Sequence, residues 1–192
     1  MKFAKFLFLA VFLFLGLTDI SAQNRGNNEG GFDASRLFLG GNFGASFGDY
    51  TLVNISPQLG YRFSDYFAAG AGVGFQYFSV KTRNAYTGEE INRTNNGVAG
   101  LNIFGRVYPV HFLLIQVQPE INYTWGKDKY RDNTPDLKLE SKMVPSLLLG
   151  GGVALPAGAG SLNLTIMYDV IQDPRSPYST QPFFNMGYNF GF

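Results

Sequence analysis

The sequence has no cysteine, one histidine and one tryptophan among its 192 residues. Without thiols it holds no disulfide framework, no thiolate metal site and no thiol nucleophile, and one imidazole leaves almost nothing from which to build a His-based catalytic or zinc centre. An excess of charge of one sign is missing too, with 15 Lys and Arg against 14 Asp and Glu. Neutralising a row of phosphates needs a basic stripe, so nucleic acid is not an expected partner. The longest apolar run, Phe6 to Leu17, is too short to cross a bilayer as a helix.

What is abundant is glycine (24), phenylalanine (19) and tyrosine (11) in a chain that is 45% apolar and of a length that suggests one domain. Lys2 and Lys5 give a basic start, the apolar run follows, and Ser21-Ala22 offers a small-residue exit before Gln23. This pattern predicts a secretory signal peptide over residues 1–22. A buried N-terminal helix is the other reading, but no later segment offers a helical stripe for it to pack against. Removing the signal takes away Lys2, Lys5 and Asp19 and leaves 13 basic against 13 acidic side chains. Residues 23–35, rich in Asn, Gly and Gln, cannot bury enough apolar surface to order themselves and are expected to form a flexible lead-in.

From Arg36 onward the apolar pattern has period two. Val53, Ile55, Pro57, Leu59, Tyr61 and Phe63 alternate with Asn54, Ser56, Gln58, Gly60 and Arg62. From Leu113 to Trp125 every odd position is apolar or aromatic, and the even ones run Leu114, Gln116, Gln118, Glu120, Asn122, Thr124. The same reading predicts strands near 36–47, 52–63, 67–81, 97–109, 112–127, 142–156, 161–172 and 181–192. Connectors at 64–66, 110–111 and 157–160 are short, whereas 82–96, 128–141 and 173–180 are longer and polar; the first, 48–51, breaks the alternation by being short. Strands of this length joined by alternating short and long connectors fit a barrel that crosses a membrane.

A soluble up-and-down barrel alternates as well, so the wet face has to be argued. Trp125, Tyr123, Tyr61 and Tyr168 fall on the apolar face and suit aromatic girdles. The other face carries Gln58, Arg62, Gln76, Arg106, Gln116, Gln118, Glu120 and Asp169, a set that a dry core would not accept. Glycines such as Gly70, Gly72 and Gly74 or Gly150 to Gly152 let a narrow barrel close; no Lys-Ser/Thr follows them, so a phosphate loop is not indicated. Pro57, Pro119, Pro145 and Pro182 fall within strands, where a closed barrel has no edge to hide a missing amide.

The last segment alternates Phe184, Met186, Tyr188, Phe190 and Phe192 with Asn185, Gly187, Asn189 and Gly191. It resembles the C-terminal targeting strand of bacterial outer-membrane barrels. Together with Pro57-Gln58-Leu59-Gly60-Tyr61 and Phe104-Gly105-Arg106-Val107-Tyr108, this makes nearly the whole mature chain resemble the small eight-stranded outer-membrane family typified by OmpA and OmpX, of the porin-family β-barrel type. The resemblance implies an all-β, eight-stranded antiparallel up-and-down transmembrane barrel over residues 36–192, monomeric, in the outer membrane of a Gram-negative bacterium, with both ends periplasmic. It implies outer-membrane lipid and lipopolysaccharide as neighbours and the barrel-assembly machinery as partner of Phe184, Tyr188, Phe190 and Phe192.

No cofactor or metal is expected. Eight strands leave an interior that side chains fill, so a wide channel is not expected. The inward charges are read as a structural plug, with a narrow gated pore for ions or small solutes as the alternative. On a hairpin closed at Val110 and His111, Arg106 faces Leu114 or Gln116, and Glu120 lies roughly 13 Å further along the strand, so partners across the lumen are needed. Some barrels of this kind are acyltransferases or lipases with Ser and His at the outer rim, but His111 falls at a periplasmic turn beside Pro109 with no hydrolase motif. The chain is therefore not read as an enzyme. Arg83, Tyr86, Arg93, Tyr130 and Arg131 in the long connectors are candidates for contact with an extracellular protein. Leu137 and Leu139 keep the odd-position alternation of the following strand, which suggests a raised hairpin whose edge pairs with a partner strand, similar to the protruding sheet of OmpX-like proteins.

Overall fold

The structure is a computed structural model in which residues 33–191 are described, apart from 47, 85, 131–134 and 179–180. The expected signal peptide, most of the lead-in, Arg131 and Phe192 lie outside the described residues. After one 3-10 turn, Ala34–Arg36, whose N-cap Asp33 accepts from Ser35, eight strands follow. They are β1 Leu37–Ser46, β2 Tyr50–Ser64, β3 Phe67–Arg83, β4 Glu90–Val110, β5 Leu113–Tyr130, β6 Leu137–Ala157, β7 Gly160–Asp169 and β8 Phe183–Gly191. Each pairs antiparallel with its sequence neighbours, and β8 returns to β1, closing the barrel in the order β1 to β8.

Period-two alternation holds because successive side chains point to opposite sides of the wall. The outward positions Ile55, Leu59, Leu101, Ile103, Ile115 and Val117 are exposed, while Gln58, Asn102, Arg106, Gln116 and Gln118 are buried inside. Aromatic rings gather at two levels on the outside. Tyr61, Phe63 and Phe67 touch near the short turns, and Phe75, Tyr123 and Trp125 touch towards the long loops. Phe67 and Phe75 stand at these two levels on one strand, which at the usual rise and tilt separates them by roughly 20 Å along the barrel axis.

The short turns fall where the sequence places them, at 65–66, 111–112 and 158–159, and Gly158 takes the positive φ (57°) that the last of them requires. At the other end the expected connectors 82–96 and 128–141 shrink, whereas 173–180 lengthens. Strand pairing carries β3 and β4 up to Arg83↔Glu90 and β4 and β5 up to Asn92↔Tyr130, so Arg93 and Tyr130 are strand residues and Arg83 ends β3. The run Asn92 to Asn96 looks like loop because it is polar at every position and so carries no alternation to mark it as strand. β7 stops at Asp169 and β8 starts at Phe183, both inside their expected limits.

The raised hairpin is present, since β5 and β6 pair up to Asp128↔Leu137. Its face differs from the expected one. Between Thr124 and Gly126 the register skips from Lys142 to Leu139, and this bulge places Leu137 and Leu139 on the side of Asp128 and Gly126, continuing the lumen face. Lys127 and Lys138 consequently lie opposite each other on the outward face.

The prolines sit where the ladder lapses. On the β3 side of β2 the pairing passes from Ile55↔Phe75 to Gln58↔Gly72, leaving out Pro57. On the β4 side of β5 it passes from Asn102↔Glu120 to Gly105↔Val117, leaving out Pro119. Pro145 lies on β6 beyond Leu148↔Asp169, where pairing with β7 has ended, and Pro182 precedes β8. A missing amide donor therefore falls, on one side of each of these strands, where no ladder pair is formed.

One glycine is dictated by close approach, because the Trp125 ring occupies the place where a Cβ on Gly97 would stand. Gly97→Leu is expected to expel Trp125 from its seat. Since the chain has a single tryptophan, intrinsic fluorescence should shift in maximum and become more accessible to aqueous quencher, with a lower unfolding temperature.

Candidate functional site

The lumen is built in three storeys. Nearest the short turns, the inward residues Phe38, Ala68, Phe104, Tyr108, Leu114 and Ala154 form an apolar cluster. Below it opens a bowl of about 720 Å³ lined by Arg36, Arg62, Asp65, Tyr108 and His111 among others. His111 is thus at the turn end, as expected. Arg62 corrects the expected polar cluster: it is exposed at this mouth, with its guanidinium 5.6 Å from the Tyr108 ring, because its place on β2 is one inward step beyond the plugged zone.

Arg106 occupies the middle storey and is 5% exposed. Its Nε donates to Gln116 Oε1 at 2.7 Å, Nη2 to Gln58 Oε1 at 2.7 Å and Nη1 to Asn189 Oδ1 at 3.4 Å. The guanidinium also lies 4.3 Å from the Phe104 ring centre and 5.8 Å from that of Phe38. A desolvated cation over an aromatic face gains about 2 kcal/mol. Arg106 and Gln116 are direct cross-strand partners, the second of the two positions that the hairpin count allows. Among the described residues no carboxylate pairs with Arg106 directly.

The counter-charge arrives through amides. Gln116 Nε2 donates to Gln118 Oε1 at 2.5 Å, and Gln118 Nε2 donates to Glu120 Oε1 at 2.6 Å. Every link runs in the same sense, from guanidinium through two carboxamides to carboxylate. Strand alternation explains the geometry, since positions 116, 118 and 120 share one face of β5 at about 6.6 Å intervals, within reach of a glutamine side chain. The second carboxylate oxygen, Oε2, accepts from Asn122 Nδ2 at 3.2 Å and from the Tyr178 hydroxyl at 2.6 Å.

Tyr178 comes from the β7–β8 connector, which folds into the mouth to form the upper storey. It stacks on Phe183 with ring centres 4.8 Å apart. Asp169, fully buried at the end of β7, anchors this connector rather than joining the Arg106 cluster. Its Oδ1 accepts from the amides of Leu147 and Ile171, both at 3.1 Å, and its Oδ2 from Ser176 Oγ at 2.6 Å. At the rim, Asp173 accepts from the Arg175 amide and pairs with Lys142 at 3.5 Å; the amide, then the ammonium, hold its carboxyl below the ordinary range. Arg83 likewise holds Asp49 below that range by donating to it at 2.9 and 3.0 Å, tying β3 to the β1–β2 connector.

A chamber of about 260 Å³ remains between the relay and the far wall, lined by Asn54, Gln58, Gln76, Asn102, Gln118, Glu120, Asn122 and Tyr178 among others. Gln76 belongs to this chamber and not to the Arg106 cluster. The sequence reading missed Asn102, Asn122 and Asn189, although all three stand at inward positions of the alternation. Tyr178 and Ser176 carry no such signal, because they lie on a connector. Of the surface candidates, Tyr86 is fully exposed on the β3–β4 connector, and Arg93 pairs with Glu90 at 2.9 Å. Phe184 and Phe190 point outward from β8, and the Tyr188 hydroxyl donates to the Ala157 carbonyl at 2.5 Å.

Compared with models of known protein families and with curated proteins, the chain gives no match. Function has to be read from the barrel itself.

Removing the Arg106 head leaves Gln58 and Gln116 unsatisfied in a buried site and strands Glu120 without its relayed partner. Arg106→Ala is expected to cost about 2–5 kcal/mol of stability. Because both residues belong to one chain of bonds, Arg106→Ala combined with Glu120→Gln should cost clearly less than the sum of the two. Thermal unfolding of the four proteins measures this, and an unchanged midpoint for Arg106→Ala removes the plug role.

Proposed function

We propose that the protein is an outer-membrane β-barrel of a Gram-negative bacterium, exported by residues 1–22, serving a structural or cell-surface interaction role with a polar, largely plugged lumen. One observation carries this reading: the closed wall is apolar on its outside between two aromatic levels and polar on its inside. A soluble monomer rarely exposes an apolar patch beyond a few hundred Å², whereas a belt of this kind between aromatic girdles matches hydrocarbon between two interfaces. The short turns then face the periplasm, and the raised ends of β3 to β6 stand outside the cell. This is the arrangement expected from the resemblance to the OmpA and OmpX type of barrel.

The raised sheet supports the interaction role. Its outward face, just above Trp125 and Tyr123, carries Lys81, Arg93 and Lys129 as cross-strand neighbours, with Lys127 opposite Lys138. Arg93 and Lys127 are offset by Glu90 and Asp136, which leaves a basic surface at the height of the outer headgroups and suits anionic lipid such as lipopolysaccharide. The β6 edge above Leu148 has no β7 partner and is the natural place for an added strand from an extracellular protein. β8, with Phe184, Tyr188 and Phe190, is the strand offered to the barrel-assembly machinery.

The narrow gated pore is the second reading, favoured by cavities on both sides of Arg106 in one lumen. In lipid vesicles, brominated acyl chains are expected to quench Trp125 fluorescence; no quenching would overturn the membrane reading. In planar bilayers the parent protein should be silent. Discrete conductance steps altered by both Arg106→Ala and Glu120→Ala would instead establish the pore.

A further inference from the structure

The ring is not closed equally at all heights. β1 and β8 pair from Phe38↔Gly191 to Gly41↔Tyr188, and there the ladder ends, although β1 runs on to Ser46 and β8 begins at Phe183. Glycines gauge the gap. A Cβ on Gly40 would run into the Asn189 side chain of β8, whereas one on Gly44 would come near only Asn54 of β2, at 4.0 Å, and meet nothing of β8. The last pair falls at Gly41, whose φ of 149° is open to glycine alone. β1 stays paired with β2 along its whole length and leaves β8 at that residue. Above it a side-chain bond bridges the two strands, from Asn42 Nδ2 to Asn185 Oδ1 at 2.6 Å.

Directly behind this seam lies the upper chamber, whose lining includes Asn42, Phe183, Phe184 and Asn185. Its polar lining consists of amides and hydroxyls, and Glu120 is its one charged group. Asn102 lines it, is 7% exposed, and its Oδ1 has no hydrogen-bond partner. On the outside the seam is flanked by Phe43, Phe184 and Met186, exposed at 67%, 87% and 59%. In hydrocarbon an unpaired strand edge is expensive, so this gap calls for an occupant. The occupant must carry donors for Asn102 and the amides, no negative charge beside Glu120, and an apolar part that leaves sideways. The chamber, at about 260 Å³, lies below the range that holds drug-sized ligands and admits a small head only.

We propose that the chamber takes the uncharged, hydroxyl-rich headgroup of a single-chain amphiphile, admitted sideways between the upper halves of β1 and β8, with its tail against Phe43, Phe184 and Met186. This rests on the membrane reading above. The test uses octyl glucoside carrying a photoreactive group in its chain, beside the matching octyl phosphate, on the purified protein reconstituted in lipid vesicles. Cross-links are mapped by peptide mass. Labelling is expected to concentrate at least fivefold on β1 and β8 over the rest of the wall, to be competed by unlabelled octyl glucoside, and to be weak with the phosphate.

Gly44→Phe, which fills the open inner side of the seam, should abolish the preference. Gly44→Cys should keep the preference as the free thiol and lose it once the folded protein is capped with a bulky maleimide. Uniform labelling, or a preference that survives Gly44→Phe, overturns the seam. Equal labelling by the phosphate overturns the headgroup class. Quenching of Trp125 by brominated lipid in the same vesicles keeps the two readings apart: quenching with uniform labelling sinks this proposal alone, and no quenching sinks the membrane reading beneath it.

Discussion

The backbone of the wall is paired as one closed ring of eight strands, and the rest of the structure follows from where that pairing holds and where it lapses. It decides where proline is tolerated, since Pro57, Pro119 and Pro145 all stand at lapses in pairing. It ends between β1 and β8 at Gly41, whose φ is open to glycine alone. Asp169 obeys the same rule at the end of β7, where its carboxylate replaces a neighbouring strand for the amides of Leu147 and Ile171.

Closure also sets the chemistry of the interior. Residues far apart in sequence, Gln58 on β2, Arg106 on β4, Gln116 on β5 and Asn189 on β8, converge only because the sheet returns on itself. Burying a guanidinium without a touching carboxylate is expensive. Here the cost is offset by three amide acceptors, two aromatic faces and a carboxylate reached through Gln116 and Gln118. A direct Arg-Glu contact would have needed one of them to move several residues along its strand.

The legible and illegible parts of the molecule divide along physical lines. β5 can be read from Leu113 to Trp125 because its outward face is apolar and its lumen face almost wholly polar, so each position declares its side. The tops of β3 to β6 could not be placed, because Asn92 to Asn96 and Lys127 to Tyr130 are polar or charged at nearly every position and show no alternation. That Arg106 faces Leu114 or Gln116 followed from counting along one hairpin; that Gln58 and Asn189 complete its shell depends on ring closure, which no local count reveals. Arg62 was misplaced because alternation gives the side of the wall but not the depth in the lumen. Tyr178 was invisible for a third reason, being carried into the site by a connector.

That connector has a consequence for the order of assembly. Tyr178 and Ser176 sit between the last two strands, yet they bond to Glu120 on β5 and to Asp169 and Ser146 around the β6–β7 junction. The stopper of this mouth is therefore carried between the last two strands of the ring, and it has nothing to grip until β5 to β7 are in place. Without its last hairpin the barrel would be an uncorked vessel, and the hairpin that closes the ring also sets the cork.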